Sequence, residues 1–266
     1  MKKGFTLIEL IVVISVVAIL MGILVPAIAV AKQQAMAVVC KSNLRQLVLA
    51  NIGYATENDN AFVLAAEDIA STNLCRWHGV RNSTDDPFDS LRSPLADYFG
   101  SGEVKKCSEK VNFRHGDPWD WDFEDGCGGY GYNMTYMGSR IWESGFAAAD
   151  KPTKSTEVSR PQETLMFADT AMTKLDGSPY YLEYSFVEPR HFVINGQADE
   201  TDTIWGVPSP SIHFRHRGKA GIGWADGHVT SRPMGNFGAN NAYGVRSIDL
   251  MINWFAPMDN GLFDLK

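Results

Sequence analysis

Gly4-Phe5-Thr6-Leu7-Ile8-Glu9-Leu10 opens an apolar run that continues to Ala27-Ile28-Ala29-Val30, and Glu9 is the one charged residue between Phe5 and Val30. Leu10 to Val30 is enough chain to cross roughly 30 Å of hydrocarbon as a helix. A carboxylate at membrane depth costs about 2.5–3.5 kcal/mol on insertion scales, so a segment that only had to span a bilayer would be better without Glu9. The residue therefore needs a partner or a task. A secretory signal peptide cut behind Ala29 is the competing reading, but signal peptides carry an apolar core of about 7–15 residues, shorter than this one. The lysines do not settle orientation, because Lys32 and Lys41 follow the span as Lys2 and Lys3 precede it.

Helical character continues beyond the run. Met36, Ala37, Cys40, Leu44, Leu47, Val48, Ile52 and Ala55 recur at spacings of three and four, which puts them on one helical face. Lys32, Gln33, Lys41, Asn43, Arg45 and Gln46 fall mostly elsewhere around the helix. No strong breaker precedes Gly53 and the polar Glu57-Asn58-Asp59-Asn60, so the pattern predicts one helix over residues 5–56, about 5–30 of it transmembrane, kinked at Pro26.

The whole chain has 266 residues, 45% hydrophobic, with a net charge of −7. The charge is unevenly spread. Residues 1–45 carry five basic residues against Glu9, whereas the remainder holds 19 basic and 30 acidic residues. Nucleic-acid binding rests on neutralising phosphates with Lys and Arg, and an acidic body of this kind argues against it.

A resemblance adds to these readings. The stretch Gly4-Phe5-Thr6-Leu7-Ile8-Glu9-Leu10, behind a short lysine-bearing leader and ahead of an apolar helix with Pro26, resembles the processing site of type IV prepilins and type II secretion pseudopilins. The resemblance covers about the first 50 residues. It implies that a prepilin peptidase removes the leader Met1–Gly4 and methylates the new N-terminal amine on Phe5, with Glu9 as the acidic assembly residue. Other pilin or pseudopilin subunits and the bacterial inner membrane are then the partners. The globular part is expected outside the cytoplasm, followed by a periplasmic or cell-surface filament. In that setting the charge on Phe5 and the carboxylate of a neighbour's Glu9, each unfavourable alone near lipid, satisfy one another. A contact that repeats head to tail propagates into an open filament.

Beyond residue 57 the chain changes to short apolar runs broken by Gly, Pro, Asn and Asp, the pattern of strands and long loops over 57–266. Glu163–Asp169 reads as a strand, Ser211–His216 as an alternating strand, and Gly221–Ala225 as a strand entering an Asp226-Gly227 hairpin turn. Ser247–Phe255 reads as a short terminal helix capped by Ser247. The expected fold class is α+β and pilin-like: one long N-terminal helix packed on an antiparallel β-sheet domain with long loops. Nine residues separate His216 from Asp226-Gly227, which resembles the H-X9-DG region (here 211–231) of one large group of pilin-like proteins. The residue reading is that Asp226-Gly227 makes the turn while His216 hydrogen-bonds across the hairpin.

Several groups of side chains suggest metals or bridges. Asp169 and Asp226, each ending a strand, with His216 or His228 nearby, suggest a calcium site, although histidine suits calcium poorly. Cys40, Cys75, Cys107 and Cys127 allow three disulfide pairings, of which Cys107–Cys127, bracketing a loop, is the first choice. A zinc site on Cys75-Arg76-Trp77-His78 lacks a second ligand pair at the usual spacing. The loop Asp117–Gly126 alternates Asp120, Asp122 and Glu124 but departs from the EF-hand pattern at Asp125 and Gly131. Its Trp119 and Trp121 suit a sugar, a partner subunit or packing on the domain.

No G-x-S-x-G, H-E-x-x-H, phosphate loop or dinucleotide fingerprint occurs, so the sequence points away from an enzyme. Three functions follow from these readings. The first is a non-enzymatic pilin or pseudopilin subunit without a cofactor. The second is a membrane-anchored extracytoplasmic binding module, for example for carbohydrate through the tryptophan loop. The third is a secreted hydrolase cut after Ala29.

Overall fold

The computed structural model describes residues 5–100, 106–109, 111, 113, 124–176, 178–201, 208–235, 246–257 and 259–266. Its longest element is α1, Leu7–Glu57, 51 residues in one helix, about 77 Å at 1.5 Å per residue. The helix continues through Pro26, whose ring nitrogen has no proton to give the Gly22 carbonyl. Its end follows from the polar residues behind Glu57. Asn58 caps it, donating its N–H to the Ala55 carbonyl, and Asp59 and Asn60 turn the chain away at φ 51° and 63°, a conformation that Asp and Asn tolerate.

The two halves of α1 live in different surroundings. Residues 5–35 are exposed throughout. From Cys40 onward a stripe of Cys40, Asn43, Leu44, Leu47, Val48, Ala50, Asn51 and Ala55 is buried. The apolar members sit at the expected helical spacing, so the stripe is the face laid on the globular domain. Two asparagines join it. Asn51 Oδ1 accepts the Val63 N–H at 2.9 Å, and Asn43 Nδ2 donates to the Tyr130 hydroxyl at 3.1 Å; a buried amide is tolerated because it is hydrogen-bonded.

After α1 come β1 (Cys75–Arg76), β2 (Gly79–Val80), β3 (Tyr130–Tyr132), α2 (Ile141–Ser144), β4 (Leu165–Asp169), β5 (Met172–Asp176), β6 (Ser178–Leu182), β7 (Val193–Ile194), β8 (Gln197–Ala198), β9 (Ile212–His213), β10 (Lys219–Trp224), β11 (Val229–Pro233), α3 (Ser247–Leu250) and β12 (Ile252–Asn253). The main sheet has the order β11-β10-β4-β3 and is antiparallel throughout. Strand β10 lies directly beneath α1. A Cβ on Gly221 would come within 2.6 Å of Leu44 Cδ1, and one on Gly223 within 2.5 Å of Val48 Cγ2. Glycine at both positions lets the helix backbone approach the strand. Around Phe167, the Cα partner of Gly223, the core holds Trp77 and Tyr132, with ring centroids 5.1 and 4.7 Å from that of Phe167.

Two expected elements differ from the structure. The strand expected over 211–216 pairs only at Ile212–His213, and Ser211 to Phe214 are all buried. With cover on both faces there is no alternation to see. The expected terminal helix stops at Leu250. Arg246, not Ser247, is its N-cap, and Met251 breaks it at φ 52° so that Ile252 and Asn253 can pair with β9.

Candidate assembly segment and the buried cysteine–histidine cluster

At the start of α1, Thr6 Oγ1 accepts the Glu9 N–H at 3.3 Å, while Glu9 Oε2 accepts the Thr6 N–H at 2.8 Å and the Thr6 hydroxyl at 2.7 Å. This is a capping box, which satisfies two of the donors a helix N-terminus leaves unpaired. Within the single chain, Glu9 therefore already has a partner. The signal for it in the sequence is Thr6-x-x-Glu9, the spacing of a capping box. Around this cap the surface is apolar: Phe5 is 75% exposed and Ile8 73%, and Ile23 is still 70% exposed. An 18-residue window of this helix has mean hydropathy 3.0 with none of it buried. Monomeric soluble proteins do not leave so large a contiguous apolar surface in water.

The other site lies where α1 enters the domain. Cys40 comes from the helix, Cys107 from the segment 106–109, and His216 from the residue that leads into β10. One ligand atom from each lies within 4.8 Å of the others. Cys107 Sγ is 3.7 Å from His216 Nε2, and the same Nε2 is 3.3 Å from Asp169 Oδ2 at the end of β4. Asp169 is fully buried, and its Oδ2 accepts the Gly221 N–H at 2.6 Å. The His216 backbone fixes this placement. Its N–H donates to the Lys219 carbonyl and its carbonyl accepts the Lys219 N–H, closing a two-residue turn in which Arg217 and Gly218 have φ 55° and 78°. Within the cluster Cys40 is the thiol held low, to about 3, by the hydrogen bond from Cys107; the same bond and burial push Cys107 up. Burial pulls His216 down, but hydrogen bonds to Asp169 and Cys40 outweigh it and raise the imidazole to about 9.

Residues 1–25 match a family model described as the prokaryotic N-terminal methylation motif. The chain has the N-terminus of a type IV prepilin- or pseudopilin-type protein. No curated protein and no solved structure shows significant similarity to it. The match ends inside the apolar half of α1, so it covers the motif and leaves the globular domain to be read from its own geometry. The motif supports a pilin-like N-terminus, and the first helix is long and apolar enough to serve as a membrane anchor. Of the processing residues, Met1 to Gly4 lie outside the described residues, while Phe5 and Glu9 sit on the exposed start of α1.

The remaining candidates fall in several places. His216 and Asp226-Gly227, nine residues apart, bracket β10. His216 closes the turn before it, and at the other end Gly227 (φ 96°) donates its N–H to the Trp224 carbonyl to make the β10–β11 turn. His216 does not reach across that hairpin; its partners lie on β4, α1 and the 106–109 segment. The calcium grouping of Asp169, Asp226 and His216 is not formed. Strands β4 and β10 are antiparallel, so the carboxylates that follow them stand at opposite ends of the sheet, and Asp226 instead binds His228 Nδ1 at 2.6 Å. All four cysteines are free thiols. The Cys107–Cys127 pairing is replaced by the approach of Cys107 to Cys40, with Cys127 fully buried in the core. The Cys75–His78 site fails as well, since His78 sits in the loop of the β1–β2 hairpin with Nε2 2.7 Å from Ser185 Oγ. Glu124, read above as part of a loop, forms a buried ion pair with Arg76 at 2.6 Å. Trp119, Asp120, Trp121 and Asp122 lie outside the described residues.

Proposed function

We propose that the chain is a structural subunit of a type II secretion pseudopilus or type IV pilus-like filament, cut after Gly4 by prepilin peptidase and N-methylated on Phe5. The observation that carries the proposal is a pilin-type motif on a helix whose first half is wholly exposed and apolar while its second half is packed in a domain. A helix of that kind has two environments in sequence: lipid before assembly, and the apolar halves of neighbouring subunits after it. The domain faces away from the cytoplasm and forms the outer surface.

Glu9 then works twice. In the single subunit it caps its own helix through Thr6. In the filament it neutralises the amine of a neighbour's Phe5 and sets the axial register. The test is the intact mass and N-terminal sequence of the chain made beside a prepilin peptidase, with Glu9→Ala alongside. The expected mature chain begins at methylated Phe5, and Glu9→Ala is processed but not assembled. A mature chain beginning after Ala29 would sink the proposal, and normal assembly of Glu9→Ala would sink the charge pairing.

A membrane-anchored binding module draws on one observation, a cleft of about 740 Å³ lined by Met134, Ile141, Phe146, Tyr184, Phe192 and Glu188 among others. Glu188 in it is raised by burial, against the hydrogen bond it accepts from the Tyr184 hydroxyl at 2.6 Å. That reading gives Glu9 no role, so the Glu9→Ala result separates the two.

A further inference from the structure

We infer that Cys40, Cys107 and His216, with Asp169 closing the shell, form a structural site for a thiophilic divalent cation of the zinc class. The first argument is the position of His216 Nε2. It faces two sulfurs and a carboxylate oxygen at once, with Cys107 Sγ at 3.7 Å and Asp169 Oδ2 at 3.3 Å, and a single ring nitrogen offers one proton or one lone pair. One cation placed among Cys40, Cys107 and His216, whose ligand atoms all lie within 4.8 Å of one another, satisfies these three, with the Asp169 carboxylate beside it on the His216 side.

The second argument is metric. Tetrahedral zinc has Zn–S near 2.3 Å and Zn–N or Zn–O near 2.0–2.1 Å, which separates neighbouring sulfur and nitrogen ligands by roughly 3.6 Å and nitrogen and oxygen by roughly 3.3 Å. The two contacts of His216 Nε2, 3.7 and 3.3 Å, match edges of that tetrahedron. A disulfide would instead need the sulfurs at about 2.05 Å, and both thiols are free.

The third argument is polar accounting. Among the described residues, His216 Nδ1 and Asp169 Oδ1 are buried without hydrogen-bond partners. The Glu109 carboxylate stands 3.9 Å from Nδ1, on the side from which a carboxylate orients a zinc-bound imidazole. Two thiolates and an imidazole also choose the class of ion, since calcium and magnesium take oxygen ligands and avoid sulfur. Such a site would fasten α1 at Cys40, its first buried residue, to the 106–109 segment, to β4 and to β10. It concerns the globular domain and does not depend on the filament reading.

The test uses the full chain extracted in detergent and purified without chelator, with Zn²⁺ as the probe. Bound metal is measured by elemental mass spectrometry, and thiol protection by alkylation of the folded protein followed by peptide mapping. The inference expects one zinc per chain, Cys40 and Cys107 protected until the metal is chelated, and a thiolate-to-metal charge-transfer band when cobalt(II) replaces zinc. Cys40→Ser and His216→Ala should lose the metal, and His216→Cys should keep it. A variant that fails to fold says nothing about the metal, so the protection of the unmodified protein decides on its own. A Cys40–Cys107 disulfide, no bound zinc, or equal alkylation of both cysteines with and without chelator overturns the inference.

Discussion

At the scale of single residues, two glycines decide whether α1 can dock. Gly223 faces Val48 so closely that an added Cβ would stand 2.5 Å from Val48 Cγ2. Overpacking of this kind typically costs about 1–3 kcal/mol. Gly223→Ala should therefore lower the denaturant midpoint of the full chain in detergent, and Val48→Ala added to it should recover part of the loss. Unchanged stability in Gly223→Ala would mean that helix and strand are further apart than described. A second residue sets a pH dependence. His78 is fully buried, and burial first, then Arg76 and Arg81, lower its pKa to about 3. In the unfolded chain it titrates near 6.5. The native state thus binds fewer protons than the unfolded state between these values, so the contribution is complete above about pH 6.5 and is lost as pH falls toward 3. Each pH unit in that window costs at most about 1.4 kcal/mol for such a histidine. Denaturation at pH 5 should come earlier than at pH 7, and His78→Gln should shrink the difference; an equal pH effect in that variant would place its origin elsewhere.

At the scale of elements, α1 shows how much a periodic pattern reveals. The 3.6-residue spacing gave the stripe from Cys40 to Ala55, and the polar Asn58-Asp59-Asn60 gave its end to within a residue. The hairpin turn at Asp226-Gly227 was legible because glycine at φ 96° has a local chemical signature. What escaped was set at a distance. Asn43 and Asn51 look solvent-facing until Tyr130, Val63 and Met166 arrive as their partners. Cys40, Cys107, Asp169 and His216 share no spacing rule, since four separate segments bring them together, and the calcium expectation failed because strand direction was unknown. The same pattern supports a contrast. Leu44 is fully buried and Val38 is 61% exposed. Leu44→Ala should cost about 2–5 kcal/mol in unfolding free energy, whereas Val38→Ala should stay within about 0.5 kcal/mol. Equal losses at both positions would mean that the helix is not held by this stripe.

At the scale of the whole molecule, the long helix makes one covalent object of two solvent preferences. The apolar side chains from Phe5 to Val30 are exposed, and burying each valine, leucine or isoleucine gains about 1.5–3 kcal/mol. Summed over the segment, this is far more than the approximately 5–15 kcal/mol by which a typical domain is stable. The segment must therefore be covered, by lipid or by other helices, for as long as it is attached. Cutting after Gly4 leaves it attached, whereas cutting after Ala29 removes nearly all of it. These alternatives differ in a simple fractionation. With a prepilin peptidase present, the processed chain should remain with the membrane pellet and resist alkaline extraction, leaving only when detergent is added. It should move to a sheared extracellular or periplasmic filament fraction only when the other subunits and assembly machinery are supplied. A processed chain that appears in the soluble fraction without detergent would mean that the apolar half is lost on maturation. The globular domain would then act alone, and the capping box at Thr6 and Glu9 would belong to a discarded piece.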